Sequence, residues 1–70
     1  MPLALAPIGV MLKIVRVLLD DKTKKHLESL GILLNGQIEV ISNGNDGVVV
    51  LVKETRLALD KNISSKILVA

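Results

Sequence analysis

Two short apolar segments flank a strong turn signal between Gln37 and Val52. Polar and apolar residues alternate in Gln37–Ile41, as they do in a strand with one buried face. Val48–Val52 is a run of branched aliphatic residues, which favour strands. The intervening Ser42–Gly47 contains an Asn-Gly and an Asp-Gly pair, both typical of tight hairpin turns. The segment Gln37–Val52 is therefore predicted to form an antiparallel hairpin.

The stretch Lys22–Gly36 predicts a short amphipathic helix, a glycine stop and a tight turn. Leu27 and Leu30 lie three residues apart and share one helix face. Gly31 can adopt the left-handed conformation that ends a helix, and Asn35-Gly36 offers a second place for a positive φ. Side chains that can cap the first turn precede this segment or lie within it: Asp20, Asp21 and Thr23.

The other segments predict short strands. Val10–Leu19 is almost continuously apolar, but Lys13 and Arg16 interrupt it three residues apart, which indicates a bulge or burial on both sides. The remaining predicted elements are an extended lead-in at Pro2–Gly9 with a turn at its end, a reversal at Glu54-Thr55, a strand at Arg56–Leu59, one helical turn at Asp60–Ser65 and a last strand at Lys66–Val69.

These elements predict one domain over residues 1–70, mainly β with one short helix. Five short strands are too few for a sandwich, and rolling them into a small barrel removes most of the exposed edge. We expect a small SH3-like β-barrel of about five strands, with an OB-like barrel as the alternative. The chain has no Phe, Tyr or Trp, so its core has to be built from Leu, Ile and Val.

The N-terminal apolar stretch does not resemble a membrane segment. Met1–Leu12 is uncharged, but Pro7 and Gly9 interrupt it, and a spanning helix needs about 20 apolar residues. A signal peptide carries its positive charge before the apolar run, whereas Lys13 and Arg16 follow it. We expect a soluble, cytoplasmic protein without direct membrane insertion. The absence of cysteine fits a reducing compartment and excludes disulfides, thiolate metal sites and a cysteine nucleophile.

Lys22, Lys24 and Lys25 form the one basic cluster. The net charge is only +2, and no aromatic side chain is present to stack on bases, so we expect no nucleic-acid partner. A nucleic-acid-binding barrel would instead show a salt-dependent affinity that falls when Lys24 and Lys25 are replaced. The cluster is either a solvated helix face or a patch that steers the domain toward an acidic protein surface.

His26 is the one histidine, and no metal site is expected around it. A transition metal needs three or four ligands, and Glu28 lies about 200° around the helix from His26. We interpret His26 as a structural or interface residue and predict no cofactor. Catalysis is not expected either, because four serines share this single histidine without a nucleophile motif, and the adjacent Asp20 and Asp21 point apart.

The chain has more aliphatic residues than a small barrel encloses, so some of them should form a binding surface. Leu33 and Leu34 follow the helix and are the first candidates, unless one of them plugs the end of the barrel. Leu3, Leu5 and Leu18-Leu19 are further candidates. We hypothesise that the helix and its following turn dock a protein partner through Lys24, Lys25, His26, Leu33 and Leu34.

The order and spacing of several short motifs resemble the FeoA family, the small cytosolic proteins of bacterial ferrous iron uptake. No single motif is specific, but together they run from about Pro7 to Val69. They are Pro7-x-Gly9, Lys13-Ile14-Val15-Arg16-Val17, His26-Leu27-x-x-Leu30-Gly31-Ile32, the following Gly36, Ile38-x-Val40, Arg56-Leu57-Ala58-Leu59 and Ile67-x-Val69.

The resemblance implies an SH3-like barrel and a non-enzymatic accessory or regulatory role toward FeoB, the membrane transporter of ferrous iron. The implied partner is the cytosolic GTPase region of FeoB. Related domains occur at the C-terminus of some metal-dependent repressors, so a transition-metal-binding or metal-sensing domain is the alternative. The resemblance carries no catalytic or metal-binding residues to this chain, and it leaves a homo-oligomer open.

Overall fold

The computed structural model describes residues 1–70 and contains five β-strands and two α-helices. The elements in chain order are β1 (Met11–Val17), α1 (Asp21–Ser29), β2 (Gln37–Gly44), β3 (Gly47–Val52), β4 (Thr55–Asp60), α2 (Lys61–Ser64) and β5 (Ile67–Val69). A single 3-10 turn at Leu3–Leu5 precedes them. The prediction of a mainly β domain with about five strands and one substantial helix is confirmed, and α2 is the single turn expected near Asp60.

The five strands form one antiparallel sheet in the order β4-β3-β2-β1-β5. β1 holds the sheet together because it changes partner along its length. Met11–Lys13 pair with β2, whereas Ile14–Val17 pair with β5, and the register shifts between Ile14 and Arg16. The predicted irregularity between Lys13 and Arg16 is therefore a bulge at this change of partner. The sheet is not closed, since β4 and β5 remain its two edges.

Two tight hairpins build the middle of the sheet. β2 and β3 are joined at Asn45-Asp46, with Gly44 opposite Gly47, as the turn signals predict. The reversal predicted at Glu54-Thr55 lies one residue earlier, at Lys53-Glu54, because Thr55 already pairs with Val52. Lys53 and Glu54 both have positive φ, of 48° and 67°, the combination that a two-residue type I′ turn requires.

The core is a single cluster of 14 buried aliphatic residues. They come from all five strands, α1, the N-terminal segment and the connection between α1 and β2. Its largest fully buried members include Leu3, Ile14, Ile32, Ile38 and Ile67. The interpretation of Leu3 as an exposed binding residue is wrong, and so is the extended lead-in. Residues i and i+3 eclipse in a 3-10 turn, so this conformation directs both Leu3 and Ala6 into the core while Leu5 stays exposed.

The N-terminal residues also cover one edge of the sheet. Pro2 forms a bridge with Leu68, and Met1 exchanges backbone hydrogen bonds with Val69 at 2.7 and 3.1 Å. The outer edge of β5 is thereby paired, whereas β4 packs chiefly on β3 and α2. Neither helix has the length and apolarity needed to cross a bilayer.

Candidate functional site

The start of α1 is fixed by Asp20. Its Oδ1 accepts a hydrogen bond from the Thr23 backbone N–H at 3.1 Å, which satisfies one of the free amides of the first turn. The Thr23 side chain and this backbone N–H lower the pKa of Asp20 below its ordinary value, since both hydrogen bonds favour the carboxylate. The sequence-based assignment of a cap in this region is confirmed.

The end of α1 is a Schellman motif centred on Gly31, which has a φ of 100°. The Gly31 N–H donates to the Glu28 carbonyl and the Ile32 N–H to the Leu27 carbonyl, both at 3.0 Å. Leu27 and Ile32 are buried together, as this motif commonly requires. Burial of Ile32 directs the next two residues away from the core.

The segment Leu33–Gly36, here called the leucine turn, is held from two sides. Within the turn, the Gly36 N–H donates to the Leu33 carbonyl at 3.0 Å, and Asn35 has the positive φ anticipated at this pair. Toward the sheet, the Asn35 N–H donates to the Ile14 carbonyl at 2.7 Å, and the Ile14 N–H donates to the Gly36 carbonyl at 2.9 Å. The backbone is therefore fixed while the two leucine side chains remain outside.

Leu33 is 39% exposed and Leu34 57% exposed. These values exclude the alternative in which one of them plugs the barrel end, because the buried cluster contains neither. The leucines separate two surface grooves and line both of them. One, of about 390 Å³, lies against α1 and includes Lys24, Glu28 and Ile32. The other, of about 580 Å³, extends to Met11, Leu51 and the Lys53-Glu54 turn.

The five residues predicted from the sequence do not form one cluster. Lys24, Leu33 and Leu34 line the same groove, because Lys24 and Glu28 are one helical turn apart on the face that the turn approaches. Lys25 and His26 are exposed and line neither groove, since they lie about 100° and 200° around the helix from Lys24. Sequence reasoning missed Met11 and Leu51, which reach the site only through strand pairing.

No three His, Cys, Asp or Glu side chains lie close enough together to hold one metal ion. His26 is exposed, and its backbone carbonyl accepts a hydrogen bond from Ser29 Oγ. What the two grooves offer instead is exposed aliphatic surface beside a lysine. Such a combination is suited to contact with a protein surface that has both apolar and acidic groups.

Solved structures show the same fold at low sequence identity. An iron uptake regulatory protein, FeoA, is 23% identical with a TM-score of 0.88, covering 99% of this chain and 93% of that one. The FeoA of Stenotrophomonas maltophilia, solved with zinc and described as a prokaryotic SH3 domain protein, is 22% identical with a TM-score of 0.78, covering 100% and 89%. The SH3-like fold predicted from the sequence is thereby confirmed, with an open sheet.

Iron(II) transport protein A of Clostridium thermocellum is also 22% identical with a TM-score of 0.88. The alignment covers 99% of this chain but only 44% of that longer one. No curated protein sequence matches the chain. The model of the FeoA domain matches residues 1–70, which is the whole sequence. The chain therefore belongs to the FeoA domain family.

Proposed function

We propose that this domain is a non-enzymatic, cytoplasmic accessory protein of bacterial ferrous iron uptake that acts by docking on the cytosolic GTPase region of FeoB. Membership of the FeoA family supports the link to ferrous iron transport. One structural neighbour is described as a protein that possibly acts as an activating factor of bacterial ferrous iron transport, which supports an accessory role here. The leucine turn and α1 form the docking surface in this proposal.

The observation that carries the proposal is the exposure of Leu33 and Leu34 on a turn whose backbone is fixed by hydrogen bonds. Because hydrogen bonds already fix the backbone of the leucine turn, binding a partner there costs little backbone conformational entropy. The grooves on either side can receive partner side chains, so burial of Leu33 and Leu34 would place them at the centre of the contact.

The lysines of α1 indicate that the partner surface around the leucine contact should be acidic. Lys24 lines the helix-side groove, and Lys25 follows it on the exposed surface of α1. We propose that these lysines face carboxylates of the GTPase region, with His26 at the rim of the contact. Rim charges of this kind chiefly raise the association rate, so the contribution of Lys25 should weaken as salt is added.

The test is an amide NMR titration of the domain with the cytosolic GTPase region of FeoB. We expect shifts at Lys24–Gly36, and we expect the double variant Leu33→Ser/Leu34→Ser to weaken binding by about tenfold or more, as loss of a central apolar contact does. The matched control is Leu5→Ser, because Leu5 is 74% exposed and lines neither groove. Far-UV circular dichroism confirms that each variant is folded.

Two results would contradict the proposal. A leucine-turn variant that binds as tightly as the wild-type domain would remove the leucine turn from the contact. Absence of any shift at millimolar GTPase region would remove the direct contact with this part of FeoB, while the fold and the family assignment would stand.

A metal-binding or metal-sensing role is the second candidate, favoured by the zinc present in the Stenotrophomonas maltophilia structure. In this chain His26 would have to supply the imidazole ligand, with further ligands from a second molecule or from water. Calorimetric titration of zinc into the wild-type domain and into His26→Ala tests this directly. Absence of zinc binding to the wild-type domain would rule this candidate out, and zinc affinity that does not depend on His26 would remove His26 from the site.

A further inference from the structure

One edge of the sheet, β5, is paired on its outer side, and the other edge, β4, is not. The N-terminal residues pair with β5, but no segment of the chain pairs with the outer side of β4. An unpaired strand edge presents free N–H and C=O groups and is a template for another strand unless charges, prolines or bulges block it. β4 contains no proline, and its pairing with β3 runs without a bulge from Thr55 to Asp60. Its two exposed charges, Arg56 and Asp60, are of opposite sign.

The register of the β3–β4 hairpin shows which backbone groups are free. In a two-residue hairpin the residues that flank the turn form a hydrogen-bonded pair. Val52 and Thr55 are that pair here, so Thr55, Leu57 and Leu59 are the residues of β4 that bond to β3. Arg56 and Ala58 are the intervening residues, and their N–H and C=O groups point away from β3. Neither residue makes a backbone hydrogen bond outside the strand ladder.

We propose that the free edge of β4 pairs with β4 of a second copy of this chain, in an antiparallel arrangement centred on Ala58. Two features of β4 support this proposal: its unpaired backbone groups and its self-complementary pattern of charges. Antiparallel pairing about Ala58 places Arg56 of each copy opposite Asp60 of the other. Both side chains are exposed and lie on the same face of the strand as Ala58, two residues from it on either side. Asp60 Oδ1 caps α2 by accepting from the Ile63 N–H at 2.7 Å, so Oδ2 is the oxygen that would face the guanidinium.

Other registers are less favourable. Pairing centred on Arg56 or on Asp60 places like charges opposite each other, and pairing centred on Leu57 places Asp60 opposite Glu54. Opposite charges at facing positions stabilise a strand pair and like charges destabilise it. A register shifted by one residue would oppose a free backbone group to one already bonded to β3.

Side-chain size also suits this pairing. Ala58 is exposed and small, so the strands can approach to the usual spacing where they cross the two-fold axis. On the opposite face, Leu57 is only half-buried, whereas Leu59, which would face it in the second copy, is buried in the core, so this face adds little contact. The contact is isologous, because each copy uses the same surface, and it therefore closes as a dimer. It leaves the leucine turn free, since none of these β4 residues lines either groove beside it.

Sedimentation equilibrium of the full chain from micromolar to millimolar concentration tests the proposal. We expect a concentration-dependent dimer. Ala58→Pro removes the outward N–H, and proline is tolerated on an edge strand where that group faces solvent. Loss of the two symmetry-related hydrogen bonds that this N–H makes in the dimer should raise the dimer dissociation constant about tenfold or more. Ala58→Ser keeps the N–H and is the matched control, with an expected change within about twofold.

Arg56→Glu is the second variant, for the case in which Ala58→Pro does not fold. Its side chain is exposed, so the fold should tolerate the change, and the facing carboxylates should weaken the dimer about tenfold. Arg56→Lys retains the charge and should weaken it little. A chain that stays monomeric at millimolar concentration overturns the proposal, as does a dimer that both variants leave unchanged. Amide shifts at Arg56 and Ala58 on addition of the GTPase region, without any on dilution, would assign the edge to that partner instead.

Discussion

At the scale of single residues, Gly47 is the glycine with the least room for a side chain. Its φ of 148° is rarely adopted by L side chains, and a Cβ at this position would overlap the Leu59 carbonyl oxygen and lie 2.9 Å from Asp60 Cα. Because both neighbours are backbone atoms of β4, they cannot move aside without breaking the β3–β4 pairing. The Asp-Gly signal in the sequence marks a turn but carries no information about this close approach.

We therefore expect Gly47→Ala to lower the free energy of unfolding by at least about 2 kcal/mol, the scale of strain for a side chain held in a glycine-only conformation. Gly44→Ala is the matched control, since Gly44 has no positive φ and a Cβ there has nothing within 4 Å. Its effect should stay within about 1 kcal/mol. Urea unfolding measures both. Similar losses for the two variants would mean that the hairpin simply requires glycines.

At the level of elements, the β3–β4 hairpin is closed by residues that suit its turn poorly. Lys53 and Glu54 both occupy left-handed conformations, which cost a non-glycine residue about 1 kcal/mol each. The strands impose this conformation because a type I′ turn matches their twist. The element is thus held by pairing along β3 and β4 rather than by its turn sequence. This explains why the sequence placed the reversal one residue too late.

Replacing this turn by Lys53→Asn/Glu54→Gly should raise the free energy of unfolding by about 1 kcal/mol, because Asn-Gly is preferred in such turns. For a domain of this size that corresponds to a rise of about 4–8 °C in Tm. Lys53→Ala/Glu54→Ala removes the same charges but keeps the positive φ at both positions. Equal stabilisation by this control in a thermal unfolding experiment would show that charge, rather than backbone conformation, limits the wild-type hairpin.

For the whole molecule, the N-terminal segment is part of the core rather than an appendage. Leu3 has no exposed surface, Ala6 is buried beside it, and Met1 and Pro2 pair with β5. Ile8 also bridges to Val40 in β2. The segment therefore runs from the β5 edge of the sheet to its central strand, β2. In a domain this small, each fully buried leucine is a large fraction of the total stability.

Leu3→Ala should accordingly lower the free energy of unfolding by about 2–5 kcal/mol through lost burial and a residual cavity. Leu5→Ala, in the same turn but at a residue that is 74% exposed, should change it by no more than about 0.5 kcal/mol. Chemical denaturation of the two variants measures the difference. If both cost little, the N-terminal segment does not fold onto the sheet in solution.

The local elements of this protein can be read from its sequence alone. The cap at Asp20, the stop at Gly31, the β2–β3 hairpin and the bulge in β1 depend on residues a few positions apart, and all are found where expected. Motif order over the whole chain also indicated the family. These features can be inferred because backbone conformation and hydrogen bonding over a few residues follow from side-chain type.

Which residues share a surface, by contrast, depends on the packing of the whole chain. Lys24 lines the same groove as Leu33 and Leu34 because α1 packs on the core through Leu27 and the leucine turn is hydrogen-bonded to β1. Lys25 and His26 lie on other sides of α1 and do not line this groove. The sequence pattern also does not distinguish a buried leucine, such as Leu3, from an exposed one, such as Leu34. Burial and strand edges depend on contacts between residues far apart in the chain, and a branched aliphatic residue has the same local signature inside the core and outside it.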